Sequence, residues 1–116
     1  MPHFVIDCSP RVLTKRHPDE ILREVHRLAE NSSLFRVADI KVRIREYEHY
    51  LVAGERDDFI HVFANIMEGR TVEQKAALSR AIVTRLVEMF PDVPAISINV
   101  RELEKATYCN RNIVEQ

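Results

Sequence analysis

The stretch Phe59-Ile60-His61-Val62-Phe63-Ala64-Asn65-Ile66-Met67, followed after Glu68 by Gly69-Arg70-Thr71, decides how the chain reads. Its apolar run is broken only by His61 and Asn65, which predicts a strand covered on both faces. Gly69-Arg70-Thr71 leads into a helix, because Thr71 and Gln74 have the spacing of a capping box. Leu78, Ala81, Ile82, Leu86 and Met89 fall on one stripe at helical spacing, and Pro91 with Pro94 stops the helix. Ala95 to Val100 then alternates apolar and polar side chains as a last strand, ahead of a polar tail from Arg101. Residues 59–100 thus spell strand, helix, strand.

Upstream the same order repeats. Residues 3–8 (His-Phe-Val-Ile-Asp-Cys) are rich in strand formers, and a polar stretch runs from Ser9 to His17. Pro18-Asp19-Glu20 starts a helix, since proline suits the first helical position and carboxylates face the positive end of the dipole. Ile21, Leu22, Val25, Leu28 and Ala29 form its stripe, and Asn31-Ser32-Ser33 ends it. Residues 37–52 look extended, with Val42 and Ile44 alternating against Lys41, Arg43 and Arg45, so the three cations share one strand face. Gly54 to Asp58 is a turn. The expected fold is α/β (α+β): two consecutive β-α-β units giving a four-stranded sheet with two helices on one face. The opposite face is expected to carry Val, Ile and Phe, and an oligomer is expected to cover it.

Composition bounds the function. A chain of 116 residues with 46% apolar and 30% charged residues reads as one globular domain, 1–116. Formal net charge is −1, so nucleic acid is not an expected partner. Cys8 and Cys109 make no disulfide framework and suit a reducing compartment. No leader-like segment and no apolar run of membrane-spanning length appears, so the expectation is a cytoplasmic protein with no membrane partner.

Three features carry chemistry. Pro2 directly follows Met1, and its small side chain predicts removal of the methionine. The exposed terminal nitrogen would then be a secondary amine, close to its titration point near neutral pH, and nearby cations would favour its neutral form. Such a nitrogen is either a general base or a frayed, solvated end. Arg70 precedes a helix, where its guanidinium and the free helix amides can form a carboxylate site, or where it is simply solvated. The row Lys41, Arg43 and Arg45 is answered either by an anionic ligand or by acids such as Glu46 and Glu48. His3, His17, His26, His49 and His61 show no ligand spacing, so no metal is expected. Cys8 on a strand reads as a small core residue, and two glycines leave no room for a phosphate loop.

Pro2-His3-Phe4 followed by Val-Ile-Asp and Cys8-Ser9 resembles the start of the 5-carboxymethyl-2-hydroxymuconate isomerase family of the tautomerase superfamily. The similarity extends through Ile40-Lys41-Val42-Arg43, His61-Val62, and Gly69-Arg70 before a helix starting Thr-Val-Glu. The resemblance implies a trimer of double β-α-β subunits, with the amino-terminal proline as catalytic base and no cofactor. It implies an anionic small-molecule substrate whose carboxylates are held by arginines, which carries over to Arg70 and to Lys41 or Arg43. Lys41 stands where the family pattern has arginine, and a lysine offers a point charge rather than a bidentate fork. Hydratase, dehalogenase or decarboxylase chemistry on the same scaffold, with the proline as acid, is one alternative. A non-enzymatic oligomer binding a protein partner is the other.

Overall fold

In the computed structural model, which describes residues 1–116, His3–Cys8 forms β1. Phe4, Ile6 and Cys8 are buried on one side of it, while His3 and Val5 stay partly exposed on the other. The polar stretch that follows holds a short helix, α1 (Val12–Lys15), seeded by the buried side chain of Val12. The second helix, α2, spans Pro18–Asn31 with proline at its start and Asp19 and Glu20 in the first turn, as expected. Its cap is His17, whose Nδ1 accepts from the Asp19 amide at 3.1 Å. A 3₁₀ turn at Val37–Asp39 precedes β2 (Lys41–Glu46), which is therefore shorter than the extended run expected for residues 37–52.

The long strand β3 covers Phe59–Met67 and the helix α3 covers Val72–Met89. Both halves of the Thr71–Gln74 capping box form. The last strand, β4, runs Ala95–Leu103, three residues beyond the expected Val100, and the tail closes with a short helix α4 (Arg111–Val114). No helix is long and apolar enough to cross a membrane.

The strand order is β2-β1-β3-β4. Pairs β1–β2 and β3–β4 are parallel, as each β-α-β unit requires, and the antiparallel β1–β3 pair joins the two units. Both long helices lie on one face. Ile21, Val25 and Ala29 of α2 and Leu78, Ile82 and Leu86 of α3 share one core with Phe4, Ile6, Ile60, Val62, Ala64 and Ile66. Each fully buried Val, Leu, Ile or Phe stabilises by about 1.5–3 kcal/mol, so this shared layer fixes the helices to the sheet. At the far end, buried Ser9 donates to Asp58 at 3.0 Å and its Oγ accepts from the Phe59 amide at 3.1 Å, tying β1 to β3.

Two expectations about the sheet change. Within the chain β3 is not covered on both faces: buried Ile60, Val62, Ala64 and Ile66 alternate with partly exposed Phe59, His61, Phe63, Asn65 and Met67. Nor is the helix-free face an apolar surface of Val, Ile and Phe. Cross-strand register places on it His3, Val5 and Asp7, the cations Lys41, Arg43 and Arg45, and Ser97, Asn99 and Arg101 beside the β3 set. It is mixed and cationic.

Candidate active site

Pro2 sits just ahead of β1, and its side chain is fully buried. Its carbonyl accepts from the Lys41 amide at 3.1 Å, so the amino end is fixed as an extension of the β1–β2 ladder. It is not frayed. With Met1 attached the Pro2 nitrogen is an amide and has no basic lone pair. The Met1 amine is held below its ordinary value by burial, by a hydrogen bond with Lys41 and by the Lys41 charge.

The parallel register sets His3 opposite Lys41. Lys41 Nζ donates to the Asp39 carbonyl at 2.6 Å. Arg43 lies opposite Val5 and reaches back so that Nη1 meets His3 Nδ1 at 3.1 Å. Burial first, then the Arg43 and Lys41 charges, push the His3 imidazole below its usual value, so Nδ1 accepts from Arg43. Asn65 Nδ2 donates to the His3 carbonyl at 3.1 Å and clamps β1 from the other side.

Arg70 arrives at the same sheet end because β3 runs antiparallel to β1 and ends there. Gly69 turns the chain at φ +115°, a conformation that side-chain-bearing residues rarely adopt. The guanidinium is not free, however. Nη2 donates to the Leu34 carbonyl at 2.6 Å and Nη1 to the Met67 carbonyl at 3.3 Å, and the group lies 5.2 Å from the Phe35 ring centroid. Phe35 in turn stands edge-on to Phe4 at 6.0 Å. The capping box also fills part of the expected carboxylate site, since the Thr71 and Gln74 amides already have partners.

The four expected residues Pro2, Lys41, Arg43 and Arg70 thus gather at one end of the sheet, while Arg45 lies farther along β2 opposite Asp7. Glu46 and Glu48 form no ion pair with the cationic row. Asp7 and Glu68, the carboxylates that could activate water in the alternative chemistry, each already hold a hydrogen-bond partner. Asp7, bonded to the Tyr47 hydroxyl at 3.0 Å, is five residues from Pro2, roughly 16 Å along an extended strand. Glu68 Oε2 is occupied by the Lys105 amide at 2.7 Å. No group of three or more His, Cys, Asp or Glu side chains is placed to hold a metal. Cys8 is buried, with its thiol pushed up to about 12 by burial and by the Glu46 and Asp7 charges, so it is no nucleophile. Sequence reasoning missed His3, Asn65 and Phe35. Period-2 alternation on the two central strands could have flagged the first two, whereas nothing local marks Phe35 as a partner of Arg70.

A solved "fused 4-OT" symmetric trimer superposes with TM-score 0.76 at 22% identity, over 95% of this chain and 92% of its own. A macrophage migration inhibitory factor from Oncomelania hupensis gives TM-score 0.77 at 15% identity, over 97% of this chain and 80% of its own. The fold is that of the tautomerases. No curated protein matches the chain by sequence. The family model described as 5-carboxymethyl-2-hydroxymuconate isomerase matches residues 2–116, and the chain belongs to that family. A solved 5-carboxymethyl-2-hydroxymuconate isomerase from Deinococcus radiodurans R1 superposes with TM-score 0.83 at 22% identity, over 95% of this chain and 88% of its own. Membership carries an isomerase-type function.

Proposed function

We propose that the chain is a cofactor-independent keto–enol tautomerase whose base is the Pro2 nitrogen, freed by removal of Met1. Its substrate is an unsaturated 2-hydroxy or 2-oxo di- or tricarboxylic acid, such as 5-carboxymethyl-2-hydroxymuconate. The observation that carries this reading is the placement of the amino end: Pro2 is buried, its carbonyl is bonded to the Lys41 amide, and the end of β3 that leads to Arg70 lies beside it. A freed Pro2 amine beside the Lys41 and Arg43 cations would favour its neutral form, as a general base requires.

Neutral Pro2 takes the proton of the enol hydroxyl, and the O–H electron pair closes the carbonyl. The conjugated pair moves outward to the remote carbon, where the prolinium returns the proton, breaking N–H and forming C–H. One nitrogen serves both transfers, and nothing is oxidised or reduced. Lys41, Arg43 and Arg70 meet the carboxylates and the dienolate charge, acting as preorganised cations in place of bulk water. A homotrimer belongs to the same proposal: the helix-free sheet face has no partner within the chain, and the fused 4-OT neighbour is a symmetric trimer.

The test combines intact mass with ultraviolet turnover of 2-hydroxymuconates. The mature chain should begin at Pro2, and Pro2→Ala should lower kcat/KM by about 10²–10⁴-fold. The kcat/KM should fall as pH drops through the titration of the Pro2 amine, because protonation removes the base. Active protein retaining Met1, unchanged turnover in Pro2→Ala, or activity that instead rises with protonation of the amine would overturn the assignment.

A further inference from the structure

The connection between α2 and β2 carries a charged pair that the mechanism does not use, next to the amino end and outside the strand rows of the helix-free face. Ser33 turns the chain in the left-handed region at φ +61°, which few non-glycine residues adopt, and the Leu34 amide donates to Ser32 Oγ at 3.2 Å. Arg70 grips the Leu34 carbonyl and Phe35 packs against Phe4, so Arg36 projects from a fixed segment. Beyond it the Asp39 amide donates to the Arg36 carbonyl at 2.9 Å, and two residues on the Lys41 amide donates to Pro2. The Met1 amine, lowered first by burial and then by Lys41, also feels the Asp39 and Arg36 charges, which sets the pair close to the amino end.

Asp39 organises two cations there. Its carboxylate takes the side edge of the Arg36 guanidinium in a fork, Oδ2 accepting from Nε at 3.1 Å and Oδ1 from Nη2 at 3.2 Å. Its backbone carbonyl accepts from Lys41 Nζ at 2.6 Å. The hydrogen bonds from Arg36 hold the Asp39 carboxyl below its ordinary value, so the fork stays ionic at neutral pH. A guanidinium has five N–H donors, and Asp39 uses two. The end edge, with both Nη1 hydrogens and one on Nη2, has no protein partner, and the Arg36 side chain is 76% exposed. Such an edge presents two parallel N–H groups to a planar carboxylate, and the Asp39 fork keeps it from rotating away. Lys41 alone offers only a point charge.

We propose that Arg36 binds the substrate carboxylate farthest from the enol, with Asp39 as the residue that positions its guanidinium. Both roles rest on the amino end being the reacting centre. An acid whose single carboxylate lies beside the enol leaves the Arg36 edge empty, whereas a di- or tricarboxylic acid fills it. The pair therefore selects substrates by the number and reach of their carboxylates. An ion pair that only braced the turn would make no such distinction.

The test compares 5-carboxymethyl-2-hydroxymuconate, a tricarboxylate, with phenylenolpyruvate, a monocarboxylate, on the full-length protein. Arg36→Gln should lower the ratio of their kcat/KM values by about tenfold, through the KM of the tricarboxylate, the size of a lost hydrogen bond to a charged group. Arg36→Lys should not restore the ratio, because an ammonium lacks the fork. Asp39→Asn separates positioning from charge. It makes the site more positive, so a purely electrostatic role lowers the tricarboxylate KM, whereas a fork reduced to one acceptor oxygen raises it. The raised KM is expected. An unchanged ratio in Arg36→Gln, or a lowered KM in Asp39→Asn, would overturn the proposal. If the wild type turns over neither acid, the base assignment fails on its own, and calorimetry with unreactive tricarballylate decides about Arg36. Wild type should then bind it about tenfold more tightly than Arg36→Gln, and equal or absent binding would equally overturn the proposal.

Discussion

Arg70 illustrates how much a single residue's chemistry depends on what lies outside its own segment. Gly69-Arg70-Thr71 marks in sequence where the guanidinium must sit, at the start of α3. Its partners were not legible, because the Leu34 carbonyl that it grips is 36 residues away and has no side-chain signature. The grip ties the α2–β2 connection to the end of β3 and holds Phe35 against Phe4, beneath the amino end. Arg70 thus fixes the packing beside the amino end, independently of the substrate contact proposed for it. Arg70→Lys keeps the charge but cannot span both carbonyls, so urea unfolding should show a loss of about 2 kcal/mol, typical of hydrogen bonds from a charged donor. If stability is unchanged while KM rises, the residue serves substrate alone.

At the scale of elements, the readable parts were those with strong local grammar. The proline start of α2 and the capping box of α3 form as expected, because each places side-chain groups on amides within the same turn. Thr71→Ala should cost about 1 kcal/mol in urea unfolding and leave the pH dependence of turnover unchanged. An unaltered midpoint would mean that packing of Leu78, Ile82 and Leu86, rather than the cap, holds the helix start. The unreadable parts depended on distant contacts. Val12 nucleates α1 only because the core accepts it, and β4 runs on to Leu103 because β3 continues opposite it to Met67. The β3 run looked buried on both faces because Phe59, Phe63 and Met67 are apolar, yet in the chain those positions alternate with the core rather than joining it. The candidate site divides the same way. Pro2, Lys41, Arg43 and Arg70 were visible as residues, whereas the clamp by Asn65 and His3 depends on strand register, which no local pattern sets.

For the whole molecule, the sheet sorts charge by face. Cations collect on the open side, where the proposed trimer would bring three such faces together, while the helix layer is held by paired charges. Glu24 of α2 lies at the hub of that layer, 2.9 Å from Arg85 of α3 and bonded to Arg27 on its own helix. Hydrogen bonds from Arg27 and Arg85 hold its carboxyl at about 2, below its ordinary 4.5. A carboxyl depressed by folding stabilises fully above its unfolded value, and that contribution disappears as pH falls from 4.5 through about 2. The only link from α2 to α3 through such a pair should therefore weaken in that window. Glu24→Gln should lower the urea midpoint at neutral pH by an amount worth about 1 kcal/mol or less, given solvent screening. The difference from wild type should then shrink steadily as pH falls from 4.5 to about 2. A difference that stayed constant across that range would show that Glu24 acts through packing, and that the two helices are held by their apolar stripes alone.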